Sequence, residues 1–459
     1  MEMINEFVAA LGEARVLTGN RLEGRMTHVW KGEQMRAAAV LLPKTTAEVS
    51  AIMKICDRHG QPVVVHGGLT NLVGSAKAGE RDVVISTEKM DQIIEIDPGN
   101  RTMTVQSGVI LENVQNAAAD AGMFFSMNFG AKGSARMGGL ISTNAGGMRV
   151  FRYGMTRNLV LGLEAVMADG TVISSMKKLI KDNSGYDLKQ FFIGSEGTLG
   201  IVTAAVLKLS EAPAGRCGAL VGIRDFGQVV RFLKFMDRGL AGTLSAFELL
   251  WKGYYDAITS GEGGLKRRIA GDYPFFVLLD SLGADQDADL ARLNELLEEA
   301  LGQEIIEDAV VAQSTAELSE LWRLREDVDI LIDRCKHYQS FDISLPVPLI
   351  GETIGKITDE LVKIPGVGPV FPFGHAADGN IHFILGKATT DDELTRRVNE
   401  TVYGPLEAVG GSVSAEHGIG IHKRAYLKIS RSPAEVALMR RLKQSLDPKG
   451  LLNPGLIFG

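Results

Sequence analysis

Residues 63–76 read VVVHGGLTNLVGSA, a short β-branched run that ends at the paired glycines Gly67 and Gly68. Such a run reads as a strand entering a tight loop. Consecutive backbone N–H groups without side chains in the way can converge on a diphosphate there. For a lone glycine pair an ordinary tight turn is the stronger reading, by about two to one. Neither GxGxxG nor a glycine loop followed by the Walker lysine occurs, so a standard dinucleotide fold and a P-loop do not account for the stretch. If it binds a nucleotide, it does so on another fold.

The sequence around it is consistent with a mixed α+β chain. Upstream, residues 46–60 (TAEVSAIMKICDRHG) place Val49, Ile52, Met53 and Cys56 at helical spacing, with Thr46 to cap the helix and Gly60 to stop it. Downstream, 81–87 and 101–108 read as strands with a turn at Pro98–Asn100, and 111–122 as a helix closed by Gly122. Residues 128–147 (NFGAKGSARMGGLISTNAGG) are mostly small and polar, too little to bury apolar surface by themselves. Residues 159–173 predict a hairpin turning at Asp169–Gly170. Beyond about 215 glycine thins, and helical patterns such as 287–302 alternate with strands such as 274–283, which predicts an α+β domain on an antiparallel sheet.

The 459 residues exceed one ordinary core. With 45% hydrophobic and 23% charged residues the composition is that of a globular protein. A net charge of -7 gives no basic footprint for nucleic acid. Cys56, Cys217 and Cys335 lie too far apart for a thiolate metal motif or a disulfide framework, which suits a reducing compartment. The first residues, MEMINEFVAALGEARVLTG, carry neither a secretory nor an Arg-rich transit pattern, so the expected location is cytoplasmic.

Four of the eight histidines fall in two stretches, FPFGHAADGNIH (371–382) and SAEHGIGIH (414–422). His375 and His382 flank a turn, ADGN, that lets both imidazoles converge, and Glu416 would complete a His, His, carboxylate set with open coordination positions. Spacing alone favours satisfied loop histidines over metal ligands, by about three to one.

Taken in order, residues 63–76, 128–154, 181–201 (KDNSGYDLKQFFIGSEGTLGI), 374–382, 415–420 (AEHGIG) and 447–455 (DPKGLLNPG) resemble the FAD-linked D-2-hydroxy acid dehydrogenases of the vanillyl-alcohol oxidase superfamily. The resemblance covers almost the whole chain. It implies a two-part FAD-binding domain over 1–212, an α+β cap domain on an antiparallel sheet over 213–415, and a C-terminal segment, 416–459, that returns to the flavin. The FAD diphosphate would lie on Gly67, Gly68, Leu69, Thr70 and Asn71. Gly133, Ser134, Gly138, Thr143, Asn144 and Gly146 would line the ribityl and ring region, Glu196, Gly200 and Ile201 the adenine side, and Asn453 would reach back to the flavin. Covalent members commonly carry a His after the glycine pair; Leu69 stands there and His66 precedes the pair, so the FAD is expected to be noncovalent. The resemblance makes His375, His382 and Glu416 ligands of Zn2+ or Mn2+, His417 the base, and Arg325 the grip on the substrate carboxylate. Ala377 replaces the family's usual glycine, and His422 has no family role.

The chemistry implied is oxidation of a D-2-hydroxy acid to the 2-oxo acid, with hydride passing to flavin N5. Electrons would leave to an electron-transfer flavoprotein, a quinone or a cytochrome; a homodimer is the expected assembly. In gapless register, Asp329, Ser340 and Ile384 stand where relatives acting on a dicarboxylate carry Thr, Lys and Asn. An added charge, a lost cation and a lost amide disfavour a second carboxylate. The expected substrate is therefore D-lactate or a similar monocarboxylate, with D-2-hydroxyglutarate the close alternative. A zinc hydrolase would not need the glycine blocks, and a noncatalytic flavin module would need neither the metal set nor His417.

Overall fold

The computed structural model describes residues 2–30 and 32–458. The chain forms two compact units: one of residues 1–147, 154–212 and 416–459, the other of 148–153 and 213–415. Residues 148–153, inside the stretch expected to be flavin-binding throughout, group with the second unit.

The first unit is built on two larger sheets and a two-stranded ribbon of Met123–Phe124 with Ser210–Glu211. In the smaller, Ala39–Leu41, Val83–Ser86 and Val63–His66 run parallel, with Val16–Leu17 antiparallel at one edge. The helix Thr46–His59 covers it, seating Val49, Ile52, Met53 and Cys56 against Val63, Val83 and Ile85. Its cap is Thr45, whose side chain accepts the Glu48 N–H, and not Thr46; it ends at Gly60 in the left-handed region, as expected. The C-terminal segment extends this sheet, because Leu451 accepts the N–H of Val63 and Asn453 donates to its carbonyl. The second sheet has five antiparallel strands in the order Ile93–Asp97, Thr102–Gln106, Ile201–Lys208, Val160–Val166, Val172–Ser175. The helices Leu111–Asp120 and Met137–Thr143 share its core, which includes Val105, Val114, Ile141, Leu163 and Leu207.

The second unit is a seven-stranded antiparallel sheet with helices on both faces. Side chains alternate along each strand. Phe247, Leu249, Val277 and Leu279 pack on one side with the helices Phe226–Leu240 and Gln286–Gly302. Leu250, Leu278, Phe371, Phe373 and Ile384 pack on the other with Lys252–Thr259 and Thr315–Glu326. The α+β expectation for both parts agrees with this architecture. None of the described helices is long and apolar enough to cross a membrane.

Candidate active site

In the first unit the glycine pair allows a close backbone approach. A Cβ on Gly68 would lie 2.3 Å from the Ser134 carbonyl oxygen and 2.9 Å from Ala135 Cα, so the 67–71 and 133–136 loops meet backbone to backbone. Among the described residues, the N–H groups of Gly68, Leu69, Thr70 and Asn71 donate to no protein acceptor. A run of free donors opening from a strand is a cradle for an anionic group. Leu69, Asn144, Glu196 and Asn453 all hold φ between 43° and 56°, a costly region for residues with a Cβ, and all four lie in the segments expected to carry FAD. The loops thus fit a bound dinucleotide through backbone donors.

Several of the expected flavin residues are held by other protein groups. Asn144 closes the helix Met137–Thr143 and accepts the Arg157 N–H at 2.9 Å, and the Thr143 hydroxyl donates to Gly139 at 3.0 Å. Gly138 is a packing glycine, since a Cβ there would be 2.7 Å from that of Ser107. Gly200 makes room for Phe192. Asn453 ties strand to loop, accepting from Val65 N–H at 2.8 Å and donating to the Glu196 carbonyl at 2.7 Å.

Glu196 departs furthest from its expected adenine-side role. Its buried carboxylate accepts the N–H groups of Ile419 and Gly420 at 2.7 and 2.8 Å, so it fixes the loop that carries Glu416 and His417. Burial pushes this carboxyl up, opposed by those two donors and by Lys423. Glu416 accepts the Gly147 N–H at 2.5 Å.

In the second unit, strand register gathers the other candidates on one sheet face. Val367–His375 and Asn380–Lys387 form the hairpin that the ADGN turn predicted. His375 and His382 sit on the same face with ring centroids 5.3 Å apart, and each presents a ring nitrogen within 4.8 Å of the other's. Asp342, directly opposite His382, is fully buried and accepts from Ser414 at 3.2 Å. Arg325, on the helix Thr315–Glu326, is buried, and its guanidinium lies 4.6 Å from the Phe373 ring centroid.

One residue here escaped the sequence reading. Glu248 is the only acid in the apolar strand Leu244–Trp251 and is paired across the sheet with His375. One of its oxygens is 2.6 Å from His375 Nδ1 and the other accepts Arg325 Nε–H at 2.7 Å. Burial pushes its carboxyl up, but the charges and hydrogen bonds of His375 and Arg325 outweigh this and hold it below the usual range. A lone carboxylate in a buried strand implies a hidden cationic or N–H partner, and that was the signal available.

The three specificity candidates are differently placed. Ser340 and Ile384 face each other across adjacent strands, and Ile384 is buried beside Phe371. Asp329 is exposed on the first turn of Asp329–Ile332. An exposed charge is screened, so the repulsion expected from Asp329 in a partly dry pocket loses most of its force.

Comparison with known proteins finds two family matches, the second of which runs through the C-terminal residues that the structure groups with the first unit. Residues 37–175 match the family described as FAD binding domain, and residues 212–457 the one described as FAD linked oxidases, C-terminal domain. D-2-hydroxyglutarate dehydrogenase, mitochondrial, from Arabidopsis thaliana is 36% identical over 98% of this chain and 80% of its own length. D-2-hydroxyglutarate dehydrogenase from Stutzerimonas stutzeri (strain A1501) is 37% identical over 92% of this chain and 91% of its own. A mitochondrial protein of Schizosaccharomyces pombe, provisionally named a D-lactate dehydrogenase, is 35% identical over 90% of this chain and 80% of its own. The fold is also that of p-cresol methylhydroxylase, with a TM-score of 0.76 at 17% identity over 99% of this chain and 96% of that one. These names correct the cytoplasmic expectation, since most such relatives are mitochondrial proteins.

Proposed function

The chain belongs to the FAD-linked D-2-hydroxy acid dehydrogenases of the vanillyl-alcohol oxidase superfamily, and we propose that within it this enzyme oxidises D-2-hydroxyglutarate to 2-oxoglutarate at a metal-assisted site. As an enzyme of this family it is an FAD-dependent dehydrogenase of D-2-hydroxy acids that passes its electrons to a separate acceptor.

The observation that carries the metal-assisted reading is the Arg325, Glu248, His375 and His382 cluster on one sheet face, which joins a carboxylate-binding cation to a pair of imidazoles. The 67–71 and 133–136 loops would hold FAD, which supplies the hydride acceptor when bound; His375 and His382, with Glu416 as the third ligand the resemblance implies, would hold a divalent cation that supplies a Lewis acid for the substrate hydroxyl. Arg325 binds the C1 carboxylate through its planar donors. His417 accepts the hydroxyl proton as the carbonyl forms. Two imidazoles and a carboxylate suit Zn2+ or Mn2+.

The dicarboxylate is supported by the relatives' names and by the exposure of Asp329, which removes the strongest objection to it. D-lactate remains the second reading, favoured by the buried Ile384 and Phe371 as an apolar wall for a short side chain. Turnover with an artificial dye acceptor, in metal-replete enzyme, separates the two. A kcat/KM for D-2-hydroxyglutarate at least about tenfold above that for D-lactate, some 1.4 kcal/mol of transition-state preference, is expected. The reverse order would establish the second reading.

A further inference from the structure

Resting on the metal assignment just proposed, we infer that Glu248 is a positioning residue that fixes the tautomer of His375 and thereby sets the affinity for the cation. One contact fixes the tautomer and a second, longer one agrees with it. A carboxylate only accepts, so the 2.6 Å contact between Glu248 and His375 Nδ1 places the proton on Nδ1. A guanidinium only donates, so the longer 3.5 Å approach of Arg325 Nη2 to His375 Nε2 is compatible with a lone pair on Nε2. Nε2 is then the coordinating nitrogen, and a carboxylate behind the ring raises its basicity and fixes its plane.

Glu248 does this from a rigid place. It is fully buried, and it stands directly opposite His375 in the register of adjacent strands. Its second oxygen holds Arg325 Nε at 2.7 Å, so one side chain anchors both the proposed metal ligand and the proposed carboxylate grip. The arrangement asks for both oxygens as acceptors: an amide can serve one partner only, and a side chain shorter by a methylene draws both oxygens back.

Glu248→Gln breaks this arrangement without changing volume. Its amide carries one acceptor and one donor, and with the acceptor kept by Arg325 the NH2 faces His375. The imidazole then moves its proton to Nε2 and loses the coordinating lone pair. Glu248→Asp keeps the charge and withdraws the carboxylate, so a role confined to neutralising Arg325 would survive it.

The test uses FAD-loaded enzyme stripped with a chelator and titrated with Zn2+ or Mn2+ against a competing fluorescent chelator, the flavin spectrum serving as the check on folding. Wild type is expected to bind one equivalent, and both variants to bind roughly 10- to 100-fold more weakly with FAD retained. Wild-type affinity in either FAD-retaining variant would overturn the role of Glu248. Failure of the wild type to bind a stoichiometric cation would overturn the metal assignment itself.

Discussion

His66, the last residue of the strand leading into the glycine pair, makes this unit acid-sensitive. Its ring is buried, with Nε2 2.9 Å from the Ala76 carbonyl, across the loop that bears the free N–H groups. Burial is the main force holding the imidazole neutral and pushes it down to about 4, from about 6.5 in an unfolded chain. The unfolded state therefore takes up the proton first as pH falls. The neutral ring's contribution is fully present above about pH 6.5 and is lost as pH drops toward 4. At pH 5 the unfolded chain is about 1.5 pH units past its own titration while the folded ring is still neutral, and at about 1.4 kcal/mol per unit the loss is about 2 kcal/mol. Urea unfolding followed by flavin release at pH 7.5 and pH 5 measures it. Other groups titrate in the same window, so the informative quantity is the difference between wild type and His66→Gln, which keeps a donor for Ala76 but carries no titration. The variant should lose about 2 kcal/mol less than wild type over that interval. Equal losses in the two proteins would refute the reasoning and place the acid sensitivity elsewhere.

Gly68→Ala should lower FAD content sharply, because its Cβ meets backbone that cannot yield, at a cost of about 1–3 kcal/mol; Gly139→Ala, where a Cβ meets nothing within 4 Å, should retain FAD, and absorbance ratios compare them. Arg325→Lys should cut kcat/KM by roughly 10- to 100-fold, the value of one or two charge-assisted hydrogen bonds of about 1.5–3 kcal/mol, with flavin content unchanged in steady-state assays. His417→Gln should lower kcat by about 10²- to 10⁴-fold while FAD remains bound, read from single-turnover flavin reduction.

Much of the architecture was readable because local rules and burial agree. The helix Thr46–His59 was visible from its apolar stripe and its glycine stop, and the hairpin of Val160–Val166 with Val172–Ser175 from Asp169–Gly170. The strand Ile93–Asp97 was missed because it is an edge strand with Ile94 and Glu95 exposed, which leaves no alternation to detect. Thr45 and Thr46 are equally good caps on paper; only the backbone at Thr45, extended with φ -136°, decides between them.

At the site, the histidines were legible because a turn sequence stands between them, and Arg325 because a family motif marked it. Glu248 was not, since its meaning lies in partners 77 and 127 residues away. Periodicity reports that a position is buried but not what it faces. Asp329 shows the converse: a gapless register assigned it to a pocket, whereas its place on a short exposed helix leaves the charge in solvent. The roles of Glu196 and Asn453 follow the same rule, for each is a cross-link between segments that no local pattern connects.

The proposed reaction moves a hydride from a D-2-hydroxy acid to FAD, with D-2-hydroxyglutarate as the proposed substrate. Mixing the metal-replete, oxidised enzyme anaerobically with D-2-hydroxyglutarate, its L-enantiomer or D-lactate, and following the flavin band, tests this in one turnover. Rapid bleaching by D-2-hydroxyglutarate, slow bleaching by D-lactate and none by the L-enantiomer are predicted. A flavin that stays oxidised with D-2-hydroxyglutarate would contradict the substrate assignment, and one that stays oxidised with every D-2-hydroxy acid would contradict the account of the site.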